Sequence, residues 1–179
     1  MMRKILLLSF SIFAFSVAQA QKGTNGIQVG IRAAIPTEKL NKIANTGFGA
    51  SVKGFYGIGN TSSPHQITLE AGYNRFELKD LPAGASGNYS AIPLYTGYRY
   101  MFGKIVIDTQ AGFTINRIAG TSSIGTDASS SQTGFGWAVG AGYLIKKVEV
   151  GVKYHSSHVK DDIYDIKFFA LRLGYNFSL

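Results

Sequence analysis

The chain is 179 residues long, with a formal net charge of +8, 16% charged residues and no cysteine. The lack of cysteine excludes thiolate metal sites and cysteine nucleophiles. The contents of 22 glycines, 12 phenylalanines and 10 tyrosines are high for this length. Together they favour a tightly packed all-β protein with aromatic belts at a membrane interface.

The first twenty residues have the layout of a secretory signal peptide. A short cationic start precedes an apolar run over residues 5–17, and Ala18 and Ala20 are the small residues before a predicted cleavage at Gln21. The run is shorter than the roughly 20 apolar residues that a membrane helix needs, so an uncleaved membrane anchor is the weaker alternative. We therefore predict that residues 1–20 are a signal peptide.

The remaining domain, residues 21–179, is positively charged, and its predicted export determines which partners fit this charge. An exported protein does not meet nucleic acid, so we predict no nucleic-acid partner. Anionic lipid head groups of a membrane surface, lipopolysaccharide among them, match this charge better. The length fits one domain, and no later stretch has enough consecutive apolar residues for a membrane helix.

Eight segments of this domain alternate apolar residues with polar or small ones, which is the two-residue period of a β-strand between two environments. At the end of the chain, around Leu171 and Arg172, the alternation is sustained longer than in a typical soluble strand. Pro93 lies inside one segment, where it removes a ladder donor, so we predict a bulge or a local break there. The predicted strands are 24–35, 47–58, 65–77, 89–102, 105–116, 134–145, 148–158 and 166–179.

The predicted connections alternate between long and short. Residues 103–104 and 146–147 are two-residue turns, and residues 59–64 form a turn rich in Gly, Asn and Ser. Outer-membrane barrels show this asymmetry, with short periplasmic turns and longer external loops. The long loops are predicted at 36–46 (with one weakly indicated helical turn near Leu40), at 78–88, at 117–133 (the longest, and mobile) and at 159–165.

Charged residues and glycines share one side of the strands, while the other side carries most aromatic residues. A soluble eight-stranded ligand-binding barrel has an apolar interior, which here would have to hold Trp137, most tyrosines and nearly every phenylalanine. An interior of that width holds small residues and a few paired charges, so the apolar side faces lipid. This predicts an all-β, eight-stranded antiparallel up-and-down transmembrane β-barrel. The predicted interior polar network is Arg32, Lys53, Glu70, Arg99, Asp108, Glu149, Lys153 and Arg172.

Residues 91–104 and 111–113 resemble the middle of the small outer-membrane β-barrel domain proteins, often labelled porin family. Residues 172–179 resemble the C-terminal signal that the outer-membrane barrel assembly machinery reads. The resemblance implies location in a Gram-negative outer membrane and assembly by that machinery, and it implies a fold and a location more than an activity. The positions that match the assembly signal are Arg172, Gly174, Phe177 and Leu179.

Three groups of residues are candidates for chemistry. The interior charges form either a salt-bridge plug, which we favour, or the lining of a narrow ion path. His155 and Ser157 match the His-any-Ser order of lipid A deacylases, but no Glu follows them and His155 is predicted to point inward. His155 and His158 with Asp161 and Asp162 suggest a metal site, but two His of opposite parity rarely converge. We therefore predict no catalytic, cofactor-binding or metal-binding residue.

The sequence thus predicts a monomeric integral outer-membrane protein that is not an enzyme. Its predicted role is envelope structure or surface interaction through the long external loops. A narrow pore for small solutes or ions is the main alternative. A lipid-modifying acyl hydrolase and a soluble ligand-binding barrel are the weaker ones.

Overall fold

The computed structural model describes residues 25–59, 63–122, 124–158 and 165–179. In this part of the chain, eight antiparallel strands form a closed barrel in chain order, and the last strand pairs with the first. The predicted fold class is confirmed. The predicted signal peptide lies outside the described residues. The strands are β1 (Gly26–Pro36), β2 (Gly47–Gly57), β3 (His65–Glu77), β4 (Ser86–Phe102), β5 (Ile105–Thr121), β6 (Asp127–Ile145), β7 (Val148–His158) and β8 (Asp165–Ser178).

The alternating segments form strands because each strand of the wall has lipid on one side and the lumen on the other. Along β1, buried and exposed residues alternate over nearly the whole strand. Outward-facing apolar side chains such as Phe48, Leu69 and Phe113 are more than 60% exposed in the isolated chain, and the inward-facing residues are buried. The two sides of the wall therefore have the predicted orientation.

The predicted mobile loop at 117–133 is wrong for most of its length. Residues 117–121 continue β5 and residues 127–133 belong to β6, and the two strands stay paired up to Thr121 and Asp127. β4 likewise begins at Ser86, inside the predicted loop 78–88. Residues 127–133 are exposed on both faces of β6, and residues 86–88 read Ser-Gly-Asn, so these segments carry no apolar alternation by which the sequence could identify them as strands.

Pro93 interrupts the ladder between β3 and β4, which confirms the predicted local break. Paired residues end at Ala71 opposite Leu94 and resume at Asn74 opposite Ala91, with the register unchanged. An unchanged register means a gap in pairing without an inserted residue, so the alternative of a bulge is wrong. Pro93 keeps its partner Thr114 on the other side, in β5.

A short helix and an aromatic cluster occupy the end of the barrel away from the short turns. Helix α1 (Glu38–Ile43) follows β1 and contacts β8 and β1. Its Leu40, only 1% exposed, packs into a buried cluster with Phe76, Tyr89 and Phe168. These aromatics are inward-facing, so the expectation that the lumen holds only small and charged side chains is wrong at this end. Among the described residues, no helix is long and apolar enough to cross a membrane.

Candidate functional site

Inside the barrel, all eight residues of the predicted network are buried, each at most 5% exposed. They project from seven of the eight strands, because strand parity places each of them on the lumen side. The side chains meet in one layer between the aromatic cluster and the end that carries the short turns. This layer is named the charged layer below.

Glu70 on β3 joins three cations across the charged layer. Its Oε1 accepts a hydrogen bond from Arg32 Nη2 at 2.9 Å, and its Oε2 accepts one from Lys153 Nζ at 2.7 Å. Lys53 Nζ lies 3.4 Å from the same Oε2. Since these cations come from β1, β7 and β2, a single carboxylate links strands on opposite sides of the barrel.

The other two carboxylates complete the charged layer. Asp108 Oδ2 lies 2.8 Å from Lys53 Nζ and 3.3 Å from Arg172 Nη2. Glu149 Oε2 accepts a hydrogen bond from Arg99 Nη2 at 2.7 Å, and its Oε1 pairs directly with Arg172. Every carboxylate is therefore shared by at least two cations, which is how buried charges persist in a low dielectric.

Two glutamines extend the charged layer. Gln110 accepts from Lys153 Nζ at 2.7 Å and donates to Glu70 at 3.2 Å. Gln28 accepts from Arg172 Nη1 at 2.9 Å and donates to Glu149 at 3.0 Å. The sequence analysis left both glutamines out of the network, since amides carry no charge that a pairing argument could detect. Their inward parity was the available signal.

Strand β6 contributes no charged side chain to the charged layer, but its small inward residues leave room for the side chains of other strands. Its inward side carries Gly136, Ala138, Gly140 and Gly142. A β-carbon on Gly140 would press against Lys153, and one on Gly142 would press against Glu149. The glycines on β6 are therefore what lets the long side chains of β7 fold back into the lumen.

The pair considered for acyl hydrolysis is buried in the lumen without hydrolase geometry. The His155 ring stacks on Phe168 with ring centroids 4.7 Å apart, and its Nε2 lies 3.4 Å from Arg32 Nη1. The Ser157 hydroxyl accepts a hydrogen bond from Asn116 Nδ2 at 3.0 Å. His155 thus faces the lumen, as its parity predicted, whereas lipid-directed chemistry needs groups on the outer wall.

The side chains of the two histidines considered for a metal site point to different sides of the barrel wall. His155 points into the lumen, whereas His158 is exposed and its Nδ1 lies 3.0 Å from Asp165 Oδ1. Asp161 and Asp162 lie outside the described residues. Among those that the structure describes, no three His, Cys, Asp or Glu side chains are grouped to hold a metal ion.

The four positions that match the assembly signal lie along β8 and just beyond its end. Arg172 belongs to the charged layer, and Gly174 leaves room for the side chain of Gln28. Phe177 and Leu179 face outward at the end that carries the short turns. All four lie where β8 meets β1 and the barrel closes.

Beyond the other end of the wall, β4, β5 and β6 continue as a three-stranded sheet, named the external extension below. Ser86 on β4 still pairs with Thr121 on β5, and Thr121 with Asp127 on β6. Among the described residues, β7 pairs with β6 only from Gly136 opposite Ser157 onward. Within the described residues, positions 127–135 of β6 therefore have no strand partner on the side of β7, which is called the free edge below, and most of their side chains are exposed.

Comparison with known proteins agrees with this architecture. A family model described as outer membrane protein beta-barrel domain matches residues 5–177. No curated protein sequence matches the chain. The chain is similar in structure to Ail of Yersinia pestis, with a TM-score of 0.63, 15% identity and coverage of 88% of this chain and 100% of Ail.

Two further solved barrels are similar in fold. Neisserial surface protein A gives a TM-score of 0.57 at 15% identity, covering 88% of this chain and 98% of that protein. The N-terminal β-barrel domain of Pseudomonas aeruginosa OprF gives 0.60 at 14% identity, covering 87% of this chain and 99% of that domain.

Proposed function

The chain belongs to the outer membrane protein beta-barrel domain family, and on that premise we propose that it is a non-catalytic surface-interaction protein of the outer membrane. The barrel anchors the molecule in the membrane, and the external extension makes the contact. We propose further that the protein acts as a monomer, surrounded by lipopolysaccharide in the outer leaflet and inserted by the barrel assembly machinery through its C-terminal signal.

The observation that carries this proposal is the free edge of β6, which no strand in the described part of the chain covers. It runs over nine residues, 127–135, or about 30 Å of strand at the usual rise. A free edge presents unpaired backbone N–H and C=O groups, and an extended peptide can add to it as a further strand. Nine residues exceed the length of a typical strand, so the edge offers a full set of ladder bonds.

The residues of this edge favour binding over protection. Soluble proteins shield free edges with lysine, proline or a bulge. Residues 127–135 read Asp-Ala-Ser-Ser-Ser-Gln-Thr-Gly-Phe, with one acidic residue at the start and neither lysine nor proline. Small hydroxyl side chains leave the backbone accessible to a partner strand. The partner that fits is therefore an extended polypeptide segment at the cell surface.

The interior supports this role over that of a pore. The charged layer crosses the lumen, and the aromatic cluster with Leu40 of α1 fills the external end. A solute would have to break ion pairs that join strands across the lumen. The same burial keeps His155 and Ser157 away from lipid, which supports the absence of acyl hydrolase activity.

A peptide-binding experiment with a shortened extension tests the proposal. Full-length protein refolded in lipid vesicles is used to select binders from a random peptide library, and the affinities of the enriched peptides are measured. Replacing residues 117–131 by Asn-Gly joins Asn116 to Gln132, which pair in the ladder, and leaves the rest of the β5–β6 ladder intact. We expect the selected peptides to lose at least about tenfold in affinity for this variant, because only four residues of the edge remain, fewer than a typical strand.

The control changes the opposite end without shortening any strand, replacing Gly103-Lys104 by Asn-Gly, and should leave peptide affinity unchanged. Orientation is checked on intact cells with a bulky maleimide, since the chain has no cysteine of its own. Ser130→Cys should be labelled, and Lys104→Cys only after the membrane is opened. Peptides that bind the shortened variant as tightly as the full chain would overturn the proposal.

A further inference from the structure

A cavity of about 340 Å³ opens at the end of the barrel that carries the short turns. In outer-membrane barrels this end faces the periplasm. Its lining includes the cations Arg99, Lys146 and Lys147 and the amides of Gln66 and Asn176, and none of the lining side chains is acidic. This cavity is named the periplasmic vestibule below.

Arg99 is the buried cation of the periplasmic vestibule, with only 1% of its surface exposed. Its Nη2 donates to Glu149 Oε2 at 2.7 Å, and its Cζ lies 5.1 Å from the centroid of the Phe55 ring. Its Nε and Nη1 are buried and have no hydrogen-bond partner. Because buried guanidinium donors without an acceptor are costly, Arg99 lacks the acceptor that its surroundings require.

The charge balance of the lumen points in the same direction. The charged layer holds five cations and three carboxylates, so the described part of the lumen has two positive charges in excess. Charges of one sign in a low dielectric are stabilised by a counter-ion that comes within hydrogen-bond distance. The vestibule is the side from which such an ion would approach Arg99, since Arg99 lines this cavity and the aromatic cluster fills the opposite end.

Two exposed lysines at the rim would attract an anion to this position. Lys146 and Lys147 form the tight turn between β6 and β7, and both side chains are exposed. The backbone O of Lys147 accepts from the backbone N of Asn176 at 2.7 Å and from its Nδ2 at 3.2 Å, which fixes the turn against β8. The rim cations are thus held beside the opening that leads to Arg99.

We propose that the periplasmic vestibule binds a phosphate-type oxyanion, with Arg99 donating from its unpartnered N–H groups and Lys146 and Lys147 supplying charge at the rim. Arginine suits phosphate because its guanidinium presents several fixed donors and stays charged. The phosphate is carried either by a soluble periplasmic compound or by the head group of an inner-leaflet phospholipid. This binding is independent of the peptide contact proposed for the external extension.

The test uses the full chain in nanodiscs of zwitterionic lipid, titrated with inorganic phosphate and, separately, with glycerol 3-phosphate. Amide resonances of Lys146, Lys147 and Asn176 are followed by NMR, with chloride at matched ionic strength as the reference. We expect saturable shifts of these resonances with phosphate and none with chloride. Shifts that do not saturate, or that chloride reproduces, would overturn the proposal.

Variants separate the site from general charge screening. Arg99→Lys keeps a cation facing Glu149 but removes the unpartnered guanidinium donors, so phosphate affinity should fall about tenfold or more, the loss of one charge-assisted hydrogen bond. Lys147→Gln should weaken binding several-fold. Lys104→Gln, in the neighbouring two-residue turn, should leave affinity unchanged. Equal affinity in the wild type and Arg99→Lys would refute the assignment.

Nanodiscs that contain an anionic phospholipid, without added phosphate, distinguish the two sources. If the lipid alone shifts the same resonances and Arg99→Lys abolishes the effect, the head group is the ligand. If only the soluble phosphates act, the ligand is a periplasmic compound. If neither produces a shift in the wild type, the vestibule is not an oxyanion site.

Discussion

At the residue scale, Glu70 shows how a few side chains determine the state of the lumen. One carboxylate lies within 3.4 Å of three cations, from β1, β2 and β7. Both of its oxygens are used, and neither reaches water. The ion pairs of Glu70 are therefore part of what closes this barrel, and removing its charge leaves cations buried without compensation.

Replacing Glu70 by Gln should destabilise the folded barrel by about 3 kcal/mol, because breaking a buried ion pair leaves an uncompensated charge in a low dielectric. The matched control is Glu38→Gln. Glu38 pairs with Lys167 at 3.1 Å on the surface, with side chains 57% and 26% exposed, and such pairs contribute less than about 1 kcal/mol. Urea unfolding of the protein in lipid vesicles measures both, and similar losses would contradict a special role for the charged layer.

At the element scale, α1 acts as a lid whose two sides face different environments. Leu40 is 1% exposed inside the aromatic cluster, whereas Ile43, one turn later in the same helix, is 47% exposed. The helix has only six residues, and one so short is not stable alone. It persists because Leu40 and the neighbouring Ala44 bury apolar surface against Phe76 and Phe168.

Leu40→Ala should therefore cost about 2–4 kcal/mol, the range for truncating a leucine in a core. Ile43→Ala removes a similar number of carbon atoms from the exposed side of the same helix and should cost about 0.5 kcal/mol or less. Hydrogen exchange of the α1 amides, together with urea unfolding, checks both variants. An equal loss in the two would show that the helix is held by its backbone contacts instead of by Leu40.

At the scale of the whole molecule, the lumen is closed at two positions along its length. The charged layer crosses its middle, and the aromatic cluster with α1 closes the external end. Water therefore reaches the interior from the periplasmic vestibule, while the external extension reaches into the surroundings of the cell. The two ends of the molecule are thus suited to different partners.

Double closure predicts that the protein, once folded in a planar bilayer, carries no discrete ion current. Leu40→Ala should be equally silent, because the charged layer alone still closes the lumen. Folding is confirmed beforehand by the heat-dependent shift in gel mobility. Discrete conductance steps in the wild type whose amplitude changes in Lys153→Gln would establish the pore alternative instead.

The sequence by itself determined the barrel and its sidedness. Strand parity is a local property with a period of two, so it could be read residue by residue, and it placed Arg32, Glu70 and Arg172 in the lumen without knowledge of their partners. The two-residue turns at 103–104 and 146–147 are equally local, because tight turns depend on the residues that form them. The gap in the ladder at Pro93 was predictable for the same reason, because it depends on one residue that lacks a backbone N–H.

Only the tertiary structure decided what lies at the two ends. The external extension was missed because residues 127–133 are exposed on both faces and so have no apolar period to detect. The aromatic cluster was missed because the depth at which Phe76 and Phe168 lie depends on strand lengths and on how α1 packs. The pairing of Glu70 with cations from three other strands likewise depends on the closed ladder that brings β1, β2 and β7 around one lumen. Periodicity determines which way a side chain points, but which side chains meet is a matter of distances across the barrel, and these exist only after it has closed.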